Sequence, residues 1–228
     1  MNFQAPMKPD RGDGASLLVH SVFETIQGEG PYSGTPCVFI RLGGCNLACP
    51  FCDTEYTKDV ARLDLSAIIS MLPMTQHYNL VVITGGEPFR QNIAPLVKKL
   101  LSYFETIQIE TNGTLAPPMD LPTNRVKIVC SPKTGNVNKA LHGIIFAYKY
   151  VVDHKNLDWY HRPTVSLGHP KSPNLAFPHP SFGGKVYVQP MDVEDPIEYE
   201  ENVKAAVECA RRNGYIFQFQ IHKLLGME

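Results

Sequence analysis

Cys45, Cys49 and Cys52 stand in the run Cys-Asn-Leu-Ala-Cys-Pro-Phe-Cys, a C-x3-C-x2-C pattern that follows Arg41-Leu-Gly-Gly. Three thiolates on one short loop can hold three irons of a cubic 4Fe-4S cluster, whereas ordinary electron-transfer clusters take four cysteines. No fourth cysteine lies near this loop. One iron would keep an open coordination position, which is where a metal centre does chemistry. Rival readings fit less well. Structural zinc uses paired C-x2-C knuckles or spaced histidines, but a single such pair is present and His77 is far along the chain. A disulfide framework is disfavoured because three adjacent thiols cannot pair off and Cys37, Cys130 and Cys209 are scattered. Reduced core cysteines conflict with a Gly-, Asn- and Pro-containing context that reads as a loop.

A second group follows an apolar run. Leu80–Thr84 is of buried-strand type and is broken by Gly85-Gly86-Glu87-Pro88. Two glycines let a backbone approach a ligand closely, although a bare Gly-Gly is more often a turn. His161, His169 and His179 could suggest another metal site, but their Pro-rich setting lacks a helix or strand frame and favours loop surface.

The elements that must position these residues alternate. Leu17–Phe23 and Pro36–Leu42 read as strands, and Asp64–Leu72 as a helix stopped by Pro73. Asn92 caps a helix through Tyr103. Strands at Thr106–Glu110 and Arg125–Cys130 come next, then a short helix near Val137–Leu141 and strands at Ile144–Val152 and Lys185–Val188. Asp195-Pro196-Ile197-Glu198 is a helix start with Asp as N-cap and Pro in the first turn. That helix carries Tyr199, Val203, Val207 and Ala210 on one face and ends at Gly214, before a last strand at Ile216–Ile221. Trp159 to Gly184 is rich in Pro, Gly and His without periodicity and reads as a surface excursion. No internal repeat is evident.

Such alternation predicts an α/β fold with a mostly parallel sheet, with sites built at the carboxyl ends of the strands. There are too few βα units for a closed eightfold barrel, so an open, partial barrel is expected. The 228 residues suit one domain, residues 17–228, behind a flexible N-terminal lead over residues 1–16. The lead has no apolar core of a signal peptide, and the longest apolar stretch, around Ile144–Val152, is too short to span a bilayer. Hydrophobic content of 43% with 19% charged residues indicates a globular chain. A net charge of −1 argues against a nucleic-acid or membrane-surface partner. Free thiols and an oxygen-sensitive cluster would suit the reducing cytoplasm.

The cysteine run followed by Thr84-Gly85-Gly86-Glu87-Pro88 resembles the radical S-adenosylmethionine (SAM) superfamily. The finer resemblance is to the 7-carboxy-7-deazaguanine synthases (QueE). It is carried by Phe23-Glu-Thr-Ile-Gln-Gly-Glu-Gly30, Phe39-Ile-Arg-Leu-Gly-Gly-Cys45, Cys52-Asp-Thr54, Ile109-Glu-Thr-Asn-Gly113, Ser131-Pro-Lys133, Gln189-Pro-Met-Asp192 and Gln220-Ile-His-Lys223. These segments span nearly the whole chain. The N-terminal residues and the Pro/His-rich excursion fall outside them.

The resemblance implies a radical SAM lyase that contracts the ring of 6-carboxy-5,6,7,8-tetrahydropterin to 7-carboxy-7-deazaguanine with loss of ammonia, in queuosine and deazapurine biosynthesis. It implies a 4Fe-4S cluster on Cys45, Cys49 and Cys52, with SAM on the open iron. SAM contacts would come from Phe51, Gly86, Glu87, Ser131, Pro132, Lys133, Gln189, Pro190, Met191 and Asp192. Phe51 has packing as its equal alternative. Substrate contacts would come from Ile26, Gln27, Gly28, Glu29, Arg41, Thr84 and His222. Arg41 offers a planar fork to a carboxylate, and Gln27 and Glu29 can read a donor–acceptor edge. Glu24 is better read as part of a polar turn. In the family a hydroxyl at the position of Thr54 ligates Mg²⁺; neighbouring Asp53 is a rival ligand that sequence does not separate from it. A one-electron reductant such as flavodoxin or ferredoxin and a homodimer are further implications. The alternatives are another small radical SAM enzyme, such as a glycyl-radical activase, or a non-catalytic zinc or iron–sulfur protein. The first leaves Gln27-Gly28-Glu29 and Arg41 without a purpose, the second Gly85–Pro88 and Ser131–Lys133.

Overall fold

The computed structural model describes residues 5–49, 52, 54–73, 78–165 and 174–227. Nine strands form one open sheet: β1 (Ser16–Ile26), β2 (Pro36–Leu42), β3 (Ala61–Asp64), β4 (Leu80–Gly85), β5 (Thr106–Thr111), β6 (Val126–Cys130), β7 (Ile145–Val152), β8 (Lys185–Pro190) and β9 (Ile216–Phe217). Their order is β3-β1-β2-β4-β5-β6-β7-β8-β9. β1 runs antiparallel to both β2 and β3, and every pair from β2 to β9 is parallel. The sheet is therefore the open, mostly parallel one expected, with an antiparallel flank at its start. A ring pair, Phe23 on Phe39 with centroids 5.5 Å apart, marks the β1–β2 register.

Parallel strands covered on both faces read as continuous apolar runs, and Leu80, Val81, Val82 and Ile83 of β4 are all buried. Ile83, Ile107 and Ile109 pack in the main core with Leu96, Val97 and Leu100 from helix α2 (Ala94–Leu100). Helix α1 (Leu65–Ser70) begins on Asp64, whose Oδ1 accepts from Ala67 N at 2.7 Å. The predicted helix there is real but shorter, with Asp64 as its N-cap and Met71 as its C-cap, and the edge strand β3 before it is one the sequence reading missed. The helix predicted from Asn92 through Tyr103 is likewise trimmed to Ala94–Leu100. Asn92 Oδ1 accepts from Ala94 N at 3.3 Å, while its Nδ2 donates to Asp13 O at 2.8 Å. Near Val137–Leu141 a single 3-10 turn, Lys139–Leu141, replaces a helix, with Asn138 accepting from Ala140 N.

Helix α3 (Pro196–Asn213) is capped by Asp195 and stops at Gly214 in the left-handed conformation, φ 67°. Its buried face differs from the expected one. Asn202, Ala205, Ala206, Cys209 and Ala210 face inward and Val207 is exposed. Small residues let the helix lie close to the sheet. Asn202 ties it to two strand ends, accepting from His154 N at 2.9 Å and donating to Met191 O at 3.0 Å. The last strand is also shorter than predicted. After Phe217 the chain turns, Ile221 N donates to Gly28 O at 3.1 Å, and helix α4 (Ile221–Leu224) follows.

The crossovers β5–β6, β6–β7 and β7–β8 contain no α-helix among the described residues. Irregular chain fills in for it. In the excursion, residues 159–165 and 174–184 are described, and Leu175 is buried in the core. Phe182 meets Tyr148 edge-on at 4.9 Å, and Tyr150 Oη donates to Ala176 O at 2.9 Å. Arg162 lies over the Phe177 ring at 4.6 Å while paired to Asp158 at 2.7 Å. The excursion thus covers the back of β7, where a helix would otherwise sit. Trp159 and Tyr160 remain exposed.

Where it is described, the N-terminal lead contacts the body of the fold. Met7 N donates to Cys45 O at 2.7 Å, Asp10 N donates to Arg90 O at 2.7 Å, and Arg62 pairs with Asp10 at 2.7 Å. No helix among the described residues is long and apolar enough to cross a membrane.

Candidate active site

The carboxyl ends of the parallel strands surround a cavity of about 590 Å³. It gathers most residues singled out in the sequence: Cys45, Cys49, Cys52 and Thr54 from the loop after β2, Thr84 and Gly86 from β4 and the turn after it, and Ser131 and Lys133 after β6. Gln189, Met191 and Asp192 come from β8 and beyond, Ile26, Gln27, Gly28 and Glu29 from the end of β1, Arg41 from β2 and His222 from α4. Pro132, Pro190 and Glu87 are buried off its wall. Phe51, Asp53, His77 and His169 lie outside the described residues.

Backbone contact holds the cysteine loop in place. Gly86 N donates to Leu42 O at 3.1 Å and Glu87 N donates to Gly44 O at 3.0 Å. A Cβ on Gly86 would stand 2.0 Å from Gly44 O, and one on Gly85 would stand 2.1 Å from Leu42 O. The glycine pair makes room for the loop that carries the cysteines, and both glycines also line the cavity. Arg90 Nη2 donates to Gly43 O at 3.0 Å and reinforces the same loop. On the other side, Asn46 Nδ2 donates to Thr114 Oγ1 at 2.8 Å and Asn112 Nδ2 donates to Asn46 Oδ1 at 3.0 Å.

Glu87 lies under this junction. Its Oε1 accepts from Thr111 Oγ1 at 2.7 Å and Phe89 N at 3.0 Å, and its Oε2 accepts from Asn112 N at 2.8 Å. Burial pushes the carboxyl up to about 7, against the three donors that favour its ionised form. Glu87 therefore joins the turn after β4 to the end of β5, a structural role the motif alone did not reveal.

The three thiols line the cavity. Burial raises Cys45 to about 12 and Cys49 to about 11, with Lys133 near Cys49 acting the other way. Cys45 and Cys49 are thiols at neutral pH in the absence of metal, and ligation releases their protons. Among the described residues no three His, Cys, Asp or Glu side chains are gathered closely enough to hold a metal ion. The donor set still suits an iron–sulfur cluster with one open iron, since three thiols and no fourth cysteine face the cavity. Cys37, Cys130 and Cys209 are buried elsewhere.

The cavity wall also carries a polar network that sequence reasoning found only in part. Lys149, in the middle of β7, bridges Glu29 and Glu110 of β5. Glutamines 27, 108, 189 and 220 donate to those two carboxylates. Gln218 joins them, donating to Gln189 Oε1 at 2.9 Å and accepting from Gly30 N at 2.8 Å. Burial works to raise Glu29, but the Lys149 ammonium and the hydrogen bonds from Lys149 and Gln220 hold it well below the usual carboxylate range. Burial likewise works to lower Lys149, and Glu110 and Glu29 overcome it. Lys149, Glu110 and Gln108 carry a readable signal, a charged or amide side chain inside an apolar strand.

α4 closes the mouth. The His222 ring rests on Gly28, where a Cβ would stand 1.9 Å from Nδ1, and Lys223 pairs with Asp192 at 2.8 Å. Arg41 lies over the Phe23 ring at 5.0 Å.

No family model matches the chain. The 7-carboxy-7-deazaguanine synthase of Rhodospirillum rubrum is 40% identical over 226 residues, covering 95% of each chain. That of Rickettsia prowazekii is 42% identical over 229 residues, covering 95% of this chain and 91% of its own. Among solved structures, QueE from Escherichia coli superposes with a TM-score of 0.65 at 21% identity, covering 90% of this chain and 93% of that one, a likeness of fold. With two relatives above 40% or at it along almost their full lengths, the chain belongs to the 7-carboxy-7-deazaguanine synthase family.

Proposed function

We propose that this protein contracts the ring of 6-carboxy-5,6,7,8-tetrahydropterin to 7-carboxy-7-deazaguanine, releasing ammonia. The observation that carries this reading is the lining of one cavity, which three thiols share with Arg41 and the Glu29–Lys149–Glu110 network. Cys45, Cys49 and Cys52 would hold a 4Fe-4S cluster. Gly86, Ser131, Lys133, Gln189, Met191 and Asp192 lie where SAM would contact the wall. Bound together, cluster and SAM supply the one-electron chemistry that starts the ring contraction. The chain itself supplies position. Arg41 presents a guanidinium fork to the substrate carboxylate, Glu29 and Gln27 meet its donor–acceptor edge, and α4 shields the cavity from water. Lys133 Nζ donates to Ser131 Oγ at 2.7 Å, which fixes a cation beside the cysteine loop.

Thr54 lines the same cavity, which supports Mg²⁺ held by its hydroxyl together with substrate oxygens and water. Thr54→Ala is expected to raise the Mg²⁺ concentration for half-maximal rate about tenfold while leaving iron content unchanged. A Mg²⁺ titration of the reconstituted enzyme measures this. A reduced flavodoxin or ferredoxin would serve as electron donor, and a homodimer as the assembled form.

The decisive experiment is anaerobic reconstitution with iron and sulfide, reduction, and addition of SAM, Mg²⁺ and the carboxylated pterin. Formation of 7-carboxy-7-deazaguanine and ammonia in equal amounts is the expected result. An intact cluster that cleaves SAM without yielding the deazapurine would overturn the substrate assignment. A colourless protein that takes up zinc would overturn the cofactor assignment.

A further inference from the structure

Lys149 is 5% exposed, and a buried ammonium is costly unless paired and hydrogen-bonded. One carboxylate would satisfy its charge, yet two hold it. Its Nζ donates to Glu110 Oε2 at 2.8 Å and also to Glu29 Oε2. The other carboxylate oxygens face amides. Glu29 Oε1 accepts from Gln189 Nε2 at 3.0 Å and Gln220 Nε2 at 2.5 Å, and Glu110 Oε1 accepts from Gln27 Nε2 at 3.0 Å and Gln108 Nε2 at 2.8 Å. Two anions and one cation leave an excess negative charge on the cavity wall, surrounded by neutral donors. A purely structural ammonium needs acceptors for its N–H groups, but neutral ones would serve beside a single anion. A ligand with several N–H groups on one edge gains from the second anion, because ionised carboxylates are acceptors only.

We propose that Lys149 is a positioning residue for substrate recognition: clamped between Glu29 and Glu110, it holds both carboxylates side by side as acceptors for the N–H-rich edge of the pterin ring. This rests on the substrate reading above. It adds Glu110 as a second reader beside Glu29, and Lys149 as the group that lets the two coexist. Without the cation, the two neighbouring half-buried carboxylates repel each other, which favours uptake of a proton by one of them. The protonated one then donates where the pterin also donates. The other titratable groups facing the pair are His222 from α4, which favours ionised Glu29, and the buried Cys37 thiol from β2 near Glu110. Neither can replace an ammonium that touches both.

Lys149→Met tests the proposal on the reconstituted enzyme. KM for the carboxylated pterin is expected to rise about 10- to 100-fold at pH 7, to recover at alkaline pH, and to leave kcat and substrate-independent SAM cleavage nearly unchanged. Lys149→Arg should restore most of the affinity. A folded Lys149→Met enzyme with the wild-type KM and pH profile would overturn it. Should that variant fail to fold, Glu110→Gln keeps the Lys149–Glu29 pair and replaces one acceptor oxygen of the second carboxylate with an N–H₂ donor. A comparable rise in KM without alkaline recovery is then expected, and a wild-type KM overturns the proposal. A wild-type enzyme that fails to bind the pterin sinks the substrate reading instead. In that event a ¹³C titration of glutamate side chains in the ligand-free protein decides the role of Lys149: a carboxyl other than Glu87 that protonates near neutrality in Lys149→Met but not in wild type supports it, and identical titrations overturn it.

Discussion

Gly86→Ala is expected to strip the protein of most of its iron and lower its stability by about 3 kcal/mol. The added methyl would meet Gly44 O at 2.0 Å, Gly44 C at 2.3 Å and Cys45 N at 2.8 Å. All three atoms are backbone, so no side chain can swing aside, and the loop that carries Cys45 must move off the end of β4. Gly86 has no left-handed φ, which makes the effect steric rather than conformational. Gly143→Ala is the control, because nothing lies within 4 Å of its Cβ position. Iron content after reconstitution and a denaturant melt of the metal-free protein measure the two losses. A Gly86→Ala protein with wild-type iron and stability would show that the cysteine loop is held by something other than this contact.

The second large effect is a pH dependence carried by Glu87. Its folded-state carboxyl, raised by burial to about 7, lies above the ordinary 4.5. A group raised on folding contributes stability that is fully present below about 4.5 and is lost as pH rises through about 7. The metal-free protein should therefore lose about 3 kcal/mol between those limits. Glu29 has the opposite sign. Its depressed carboxyl contributes stability above about 4.5 that disappears as pH falls further. The contributions of these two groups alone fall off on opposite sides of about pH 4.5. Glu87→Gln should flatten the slope above pH 4.5. It should also lower stability by about 1–3 kcal/mol, since its amide N–H₂ must face either Asn112 N or the Phe89 and Thr111 donors. Urea melts across the pH range test both. An unchanged slope in Glu87→Gln would remove Glu87 as the source.

Much of this architecture was readable because strands and chemistry share one rhythm. Each parallel strand is a short apolar run, and the polar residue that ends it marks the cavity side, as at Thr84, Ser131 and Gln189. Helix ends at Asp64, Asp195 and Gly214 were legible from their caps. What escaped lacks local periodicity. The cover over β7 uses Leu175, Phe177 and Phe182 from irregular chain, and no spacing rule reveals where such residues pack. Glu87 stands in a motif that carries the resemblance, but nothing in the motif shows its hydrogen bonds to Thr111, Phe89 and Asn112. Lys149 went unread because a strand pattern absorbs one charge without changing type.

The two outermost strands carry a different consequence. An open sheet of this size presents unpaired peptide groups along both margins, a template on which further chains can add. Here one margin is β3, four residues long and bearing Arg62 and Asp64, and the other is β9, two residues long and followed at once by a turn into α4. β3 and β9 themselves offer a neighbouring chain only a few peptide groups each. Truncated margins of this kind guard a long parallel sheet against fibrous self-association during its assembly, when the cavity that gives the protein its chemistry is not yet closed.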